Sequence, residues 1–531
     1  MRGMPRLIIV ACLWTLNLGA QNVRIEGTVL DGVTSAPVGG ATVVLRDVRS
    51  RAPLDGVVTG APGTFALSVP KPGDYAVEAS AAGFAETAFT GTTQSLRFKD
   101  AQFKSDAADM VLRIVIRVPR SGGLAGRIRD AESREPMSQI TVRALRSWWL
   151  RGKRQLREEG IAFTDNRGDF QLASLPTGDY VLEIGDHTDP QGEDEHSSST
   201  RYPQTFWPDS DPENIAWIHV PGGAETGTGT IDYAKVKPAR VQVQVSACRP
   251  GGGNGVTLYQ QVGGAIVLRE SVVSPCEAKS LSIPVDSPGA YRLSLLLHPG
   301  ELPSMVATAD FKVVAGENLN IELQPPEVSE IRGSVICECE TTFVPGPDRT
   351  GLGFHPPAGT GLTASFDFNG DGTFEGRTVL SGSARVEFLN LPTSVYVKKI
   401  LLNGAETGEF VTVAPGLPVS IDITLSDTPG RLSGRVVRDD KTAPQDQVVV
   451  VPWPVRLVDG YPDFFSAQAG DNGEFVFPKL APGTYKVISV GPAEWSRKDE
   501  PGVVQSWIFG VDDTTLGEKE SRAVRLESKL P

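Results

Sequence analysis

The chain has 531 residues, 51 basic and 64 acidic, for a formal net charge of −13. That length predicts roughly three to five domains. The acidic balance argues against nucleic acid or an anionic membrane face as partner, since both repel it, and five histidines leave general acid–base chemistry thinly supplied.

In chain order, residues 1–20 read as a secretory leader. Arg2 and Arg6 give a positive start, Leu7–Trp14 the apolar stretch and Leu18-Gly19-Ala20 the small-residue end, with cleavage before Gln21. Ile9-Val10-Ala11-Cys12 also resembles a lipoprotein box, which leaves lipidation at Cys12 open. No later run approaches the ~18–20 apolar residues of a membrane helix, so no transmembrane segment is expected after the leader.

From residue 25 onward the chain repeats itself, which decides the architecture. One stretch opens with Ile25-Glu26-Gly27-Thr28-Val29-Leu30-Asp31 and reaches Pro62-Gly63-Thr64-Phe65, then Pro72-Gly73-Asp74-Tyr75. A second runs from Leu124–Asp130 through Asn166-Arg167-Gly168-Asp169-Phe170 to Pro176-Thr177-Gly178-Asp179-Tyr180. A third runs from Leu432–Asp439 through Asn472-Gly473-Glu474-Phe475 to Pro482-Gly483-Thr484-Tyr485. The two glycine turns are ten residues apart each time: 63 to 73, 168 to 178, 473 to 483. Asp/Asn-x-Gly supplies the positive φ of a tight turn. The alternation after each tyrosine (Tyr75, Val77, Ala79 in the first) has the period of a half-buried strand.

Weaker copies fill the middle. Ile331–Ile336 repeats the opening strand, Asp371-Gly372-Thr373-Phe374 the first turn, and Leu391-Pro392-Thr393 with Tyr396 the second. Ser287-Pro288-Gly289-Ala290-Tyr291 keeps the second turn alone. Alternating runs before Pro119, Pro325-Pro326 and Pro429-Gly430 mark module ends. The modules are then 21–118, 119–246, 247–325, 326–427 and 428–531, each near the usual size of a β-sandwich. Helical periodicity is nearly absent; Trp148–Glu159 is the one stretch that reads as either a helical or an extended insertion.

Cys248, Cys276, Cys337 and Cys339 follow the leader. Cys248 with Cys276 is the candidate disulfide, because both fall in one module. Cys337 and Cys339 point to one face of a strand, with Cα atoms ~7 Å apart if fully extended, at the limit for a bridge. Free or intermodular thiols are equally open there.

The G-x-V-x-D opening, D-x-x-G-x-F turn and P-x-G-x-Y turn resemble the carboxypeptidase regulatory-like domain, a transthyretin-type, seven-stranded, Ig-like sandwich. The resemblance covers 22–118, 119–246 and 428–531, extends loosely to 326–427, and reaches 247–325 only through its tyrosine strand. It implies an all-β chain of about five tandem modules, a carbohydrate-binding-like fold and an exported protein: secreted, periplasmic or at the outer cell envelope.

The chemical candidates are few. His298-Pro299-Gly300-Glu301 has the H-x-x-E spacing of zinc carboxypeptidases, but it is a Pro-Gly turn without a third ligand or their α/β scaffold. Gly185–Asp189 and Glu193–His196 form an acidic loop that reads as solvated. Asp367–Gly372 has the first half of a calcium loop, but Thr378 occupies the place of the bidentate glutamate, and the repeat's own turn already explains it. Trp148, Trp149, Tyr202, Trp207 and Trp453 are the candidate carbohydrate-binding residues, since flat rings on a rigid sandwich suit sugar faces. Packing across a module edge is the competing account of the same rings. Catalytic, cofactor and metal residues are none. The expectation is a non-catalytic spacer or interaction surface whose partner is an envelope protein; the alternative is a polysaccharide-binding protein.

Overall fold

The computed structural model describes residues 22–47, 50–69, 74–88, 96–97, 109–185, 202–208, 215–245, 253–275, 280–297, 305–323, 327, 329–340, 351–355, 364–378, 382–389, 391, 395–414, 416–438, 441–442, 446–458, 460–470 and 472–528. The leader, Cys248, Cys276, His298–Glu301 and the acidic stretch 186–196 lie outside them. The described regular structure is nearly all strand, the described helices being Pro492–Trp495 and Val503–Ile508. Among these residues no helix is long and apolar enough to cross a membrane.

The chain divides into two compact units: residues 1–126 with 171–178 and 219–229, and 127–170 with 179–218 and 230–531. The first unit holds the N-terminal sandwich. One sheet is ordered Thr64–Val69, Asn22–Asp31, Asp109–Val118; the other is Pro53–Val58, Thr42–Asp47, Asp74–Ser80, Thr87–Ala88, with Leu96–Arg97 also on Asp74–Ser80. Between them Ile25, Val29, Leu45, Phe65, Tyr75 and Ile116 form a core excluded from water.

In the second unit, one sheet is ordered Lys153–Phe163, Thr141–Leu150, Gly178–Ile184, Thr205–Trp207. The stretch 148–159 is thus extended: a hairpin with a bulge beside Ala144 and Leu145. Next come the sheets Ser280–Val285, Ala239–Val245, Asn318–Leu323 and Ala265–Pro275, Gly253–Val262, Gly289–Leu297, Met305–Val313, which close over Val241, Leu258, Tyr291 and Leu293. The stretch 329–426 packs a five-stranded on a four-stranded sheet around Phe354, Phe366, Phe368 and Phe374. The C-terminal sandwich pairs the sheet around Gly430–Arg438 with the one around Gln447–Trp453.

The repeated letters have one physical cause. In the first strand of the copies at residues 27, 333 and 434, the glycine lies opposite the turn's phenylalanine: Gly27 with Phe65, Gly333 with Phe374, Gly434 with Phe475. A Cβ on those glycines would lie 2.5–2.7 Å from the ring and 1.9–2.4 Å from a carbonyl of the last strand, so only hydrogen fits. The turn glycines Gly63, Gly168, Gly372 and Gly473 all have φ between 70° and 81°. Each carbonyl accepts the first strand's next N–H, from Val29, Ile128, Val335 and Val436, at 2.8–2.9 Å. The tyrosines of the second turn are buried, and the phenols of Tyr291 and Tyr485 donate to the carbonyls of Ser287 and Ala481, four residues back, at 2.7 and 2.5 Å, as in a tyrosine corner.

One assignment changes. Tyr396 does not occupy the second-turn position: its strand, Tyr396–Leu402, pairs with Val419–Ser426 in the first sheet. The equivalent strand is Gly382–Leu389, paired with Gly351–His355. Gly382 lies ten residues after Gly372, and buried Ala384 stands where the other copies carry tyrosine. A proline turn followed by alternation marks any strand, which is why Tyr396 imitates the motif.

The cysteine at 337 is bonded to that at 339, with Cα atoms 5.1 Å apart. The backbone is therefore less extended there than a straight strand requires.

Candidate interaction surfaces

Successive residues of a strand face opposite sides, so Trp148 and Trp149 cannot act together. Trp148 is 36% exposed. Trp149 is half-buried, and the Arg154 guanidinium lies over it at 4.5 Å and over Trp217 at 4.6 Å. Both inner faces are thereby taken by a cation–π stack.

Tyr202 packs against Tyr233 with ring centroids 5.0 Å apart and donates its hydroxyl to Asp130. That bond holds the Asp130 carboxyl well below the usual range, helped by N–H groups of Ser133 and Glu132, and pushes the Tyr202 phenol up to about 12. Lys235 lies 5.3 Å over the Tyr202 ring. Asp130, Glu132, Glu135, Met137, Tyr202 and Lys235 line a cleft of about 580 Å³. Close by, Arg129 and Arg134 clamp Asp232 and bring its pKa down to about 2.

Trp207 is half-buried on an edge strand opposite Leu182. Trp453, 43% exposed, has Lys486 4.7 Å over its ring. Trp148 and Trp149 thus face opposite sides, and a neighbouring cation lies over each of the Trp149, Tyr202 and Trp453 rings. At Asp367–Gly372, the Asp371 carboxylate accepts from the N–H and hydroxyl of Thr373, as the turn requires. Among the described residues no group of three or more His, Cys, Asp or Glu is placed to hold a metal.

Two junctions escaped the sequence analysis. Beside the sheet of Thr141–Leu150, Leu145, Val181, Phe206 and Ile215 pack on Val262 of the next sandwich. Within this joint Arg269 makes a 2.6 Å ion pair with Glu183, both side chains no more than 10% exposed. Arg269 also donates to Gln260 at 2.7 Å and lies 4.5 Å over Phe206. Further on, Lys398 bridges Glu338 and Glu518 at 2.8 and 3.1 Å, and Lys519 pairs with Glu340. Nothing local marks Glu183 and Arg269 as partners.

The glycine–phenylalanine contact and the positive-φ turn are properties of one module type. The model of the carboxypeptidase regulatory-like domain matches residues 24–101. The N-terminal sandwich is a carboxypeptidase regulatory-like domain. The signature of that regulatory-like domain recurs at Gly333 and Gly434 with the same contacts. No curated protein matches the chain. Among solved structures, the Bacillus anthracis TIE protein is similar at 11% identity over 73% of this chain and 69% of its own, with a TM-score of 0.16. A streptococcal ancillary pilin is 11% identical over 55% and 99%, TM-score 0.20. The shaft pilin SpaA from Lactobacillus rhamnosus GG is 12% identical over 40% and 97%, TM-score 0.16.

Proposed function

We propose that the protein is a non-catalytic, exported spacer of the cell envelope that carries tension along its chain, built from five modules as expected from the sequence, except that the second boundary falls before Ala239 and not at 247, since Ala239–Val245 is the first strand of the third sandwich. One observation supports this above others. In four sandwiches the first and last strands are parallel neighbours: Asn22–Asp31 with Asp109–Val118, Ala239–Val245 with Asn318–Leu323, Ser329–Glu338 with Val419–Ser426, and Gly430–Arg438 with Ser521–Glu527. The chain enters at one end of this ladder and leaves at the other. A pull on the ends then loads the ladder's hydrogen bonds together, in shear, whereas an antiparallel pair pulled from one end opens bond by bond. The leader-like start supports export.

A second reading, carbohydrate binding, keeps support from the exposed indoles of Trp148 and Trp453. A glycan array and polysaccharide pull-down with the chain from Gln21 onward distinguish the two. The spacer reading expects no retention; retention lost on Trp148→Ala or Trp453→Ala would replace it with the binding module.

A further inference from the structure

The hairpin of Thr141–Leu150 and Lys153–Phe163 is longer than its sheet needs. Its inner strand pairs with Gly178–Ile184 only from Val142 to Arg146. Beyond that, Ser147–Leu150 pairs with Lys153–Leu156 alone. The corresponding strands of the N-terminal sandwich, Thr42–Asp47 and Pro53–Val58, have six residues each. The extra length forms an arm that is stiffened near its tip, where Arg154 lies between Trp149 and Trp217.

The arm's tip has an unmet chemical need. Arg151 and Gly152 form a two-residue turn with φ of 48° and 74°. In such a turn neither central N–H finds a partner within the hairpin. Both point the same way, as a small anion-binding concavity. Here Arg151 N–H donates to the Asp499 carboxylate at 3.0 Å, and Gly152 N–H to the Asp499 carbonyl at 2.8 Å. The Arg151 guanidinium lies 5.8 Å over the Tyr461 ring, and the Tyr461 hydroxyl donates to the Lys498 carbonyl at 2.6 Å.

The receiving surface is likewise an addition to the repeat. Asp499 follows the helix Pro492–Trp495 in a segment inserted between strands Gly483–Val490 and Asp513–Leu516. Tyr461 belongs to a small added hairpin, Leu457–Val458 with Tyr461–Pro462. Both elaborations meet at one contact, 348 residues apart in sequence.

We propose that the Arg151-Gly152 tip is an intramolecular latch, fastening the long hairpin to Asp499 and Tyr461 of the C-terminal sandwich of the same chain. The inference rests on contact geometry and stands whether or not the protein bears tension. Amine-reactive cross-linking followed by mass spectrometry reads it without engineered cysteines, since Lys153 and Lys498 flank the two sides. A Lys153–Lys498 cross-link is expected in the monomeric full chain. Asp499→Arg removes the acceptor carboxylate and sets a cation against Arg151, so it should cut the yield roughly tenfold, by analogy with losing a charge-assisted hydrogen bond. The Lys398–Lys519 cross-link should persist and report that the variant is folded. In an equimolar mixture of isotopically light and heavy chains, the cross-link should stay within one isotope. Its absence from the wild-type chain, its persistence in Asp499→Arg, or mixed-isotope pairs signifying a second copy would each overturn the proposal.

Discussion

At the residue scale, the repeat is written mainly in positions where substitution is sterically closed. A methyl group on Gly434 would lie 2.0 Å from the Val524 carbonyl oxygen and 2.7 Å from the Phe475 ring. Neither a backbone carbonyl in a paired ladder nor a buried ring can yield cheaply. Gly434→Ala should therefore destabilise the C-terminal sandwich by roughly 1–3 kcal/mol, the usual cost of overpacking. Gly227→Ala serves as the control: it sits in a strand with nothing within 4 Å of its Cβ position. Urea titration of both variants checks this, and equal midpoints would show that the Gly–Phe contact is not what selects glycine. These positions were legible in the sequence because backbone geometry restricts them to one residue type. Ala384 was not, because a sandwich with four phenylalanines in its core no longer needs the tyrosine that announces the motif elsewhere.

At the scale of elements, strands were legible and their docking was not. Val448–Val451 are all buried, although a strand with one wet face would alternate. The second covered face is provided by Val503, Val504, Trp507 and Ile508 of the short helix, packed on Val449 and Val451. Four consecutive valines were thus a readable sign of a further layer. The joint built around Glu183 and Arg269 left no such sign, since two charged residues 86 positions apart look like any others until the fold brings them together. Removing one partner of a buried pair strands the other charge in low dielectric. Arg269→Ala should cost about 3–5 kcal/mol, while replacing both residues by leucine should recover most of that loss. A double-mutant cycle by urea denaturation measures both quantities. A single-variant cost indistinguishable from an exposed ion pair would show that water reaches the joint.

At the scale of the whole molecule, the ten-residue interval between glycine turns and the tyrosine after the second turn persist independently of each other. The interval survives from Gly372 to Gly382 without its tyrosine, and Tyr291 survives without the first turn. What that pattern leaves unwritten is how one sandwich meets another, because those contacts join residues with no shared local rule: Glu183 with Arg269, Lys398 with Glu518, Arg151 with Asp499. Of the aromatics that suggest a sugar platform when read along the chain, Trp149, Tyr202 and Trp453 each lie under a neighbouring cation. The parallel first-to-last ladders remain as the feature repeated most consistently, and they support a mechanical role. Single-molecule stretching of the chain from Gln21 to Pro531, held by its ends, tests that role most directly. The account predicts successive discrete ruptures, each releasing roughly 30 nm, the contour of about a hundred residues at ~3.4 Å each, preceded by a smaller event as the Arg151–Asp499 contact lets go. A smooth extension at low force, with no discrete ruptures, would contradict it.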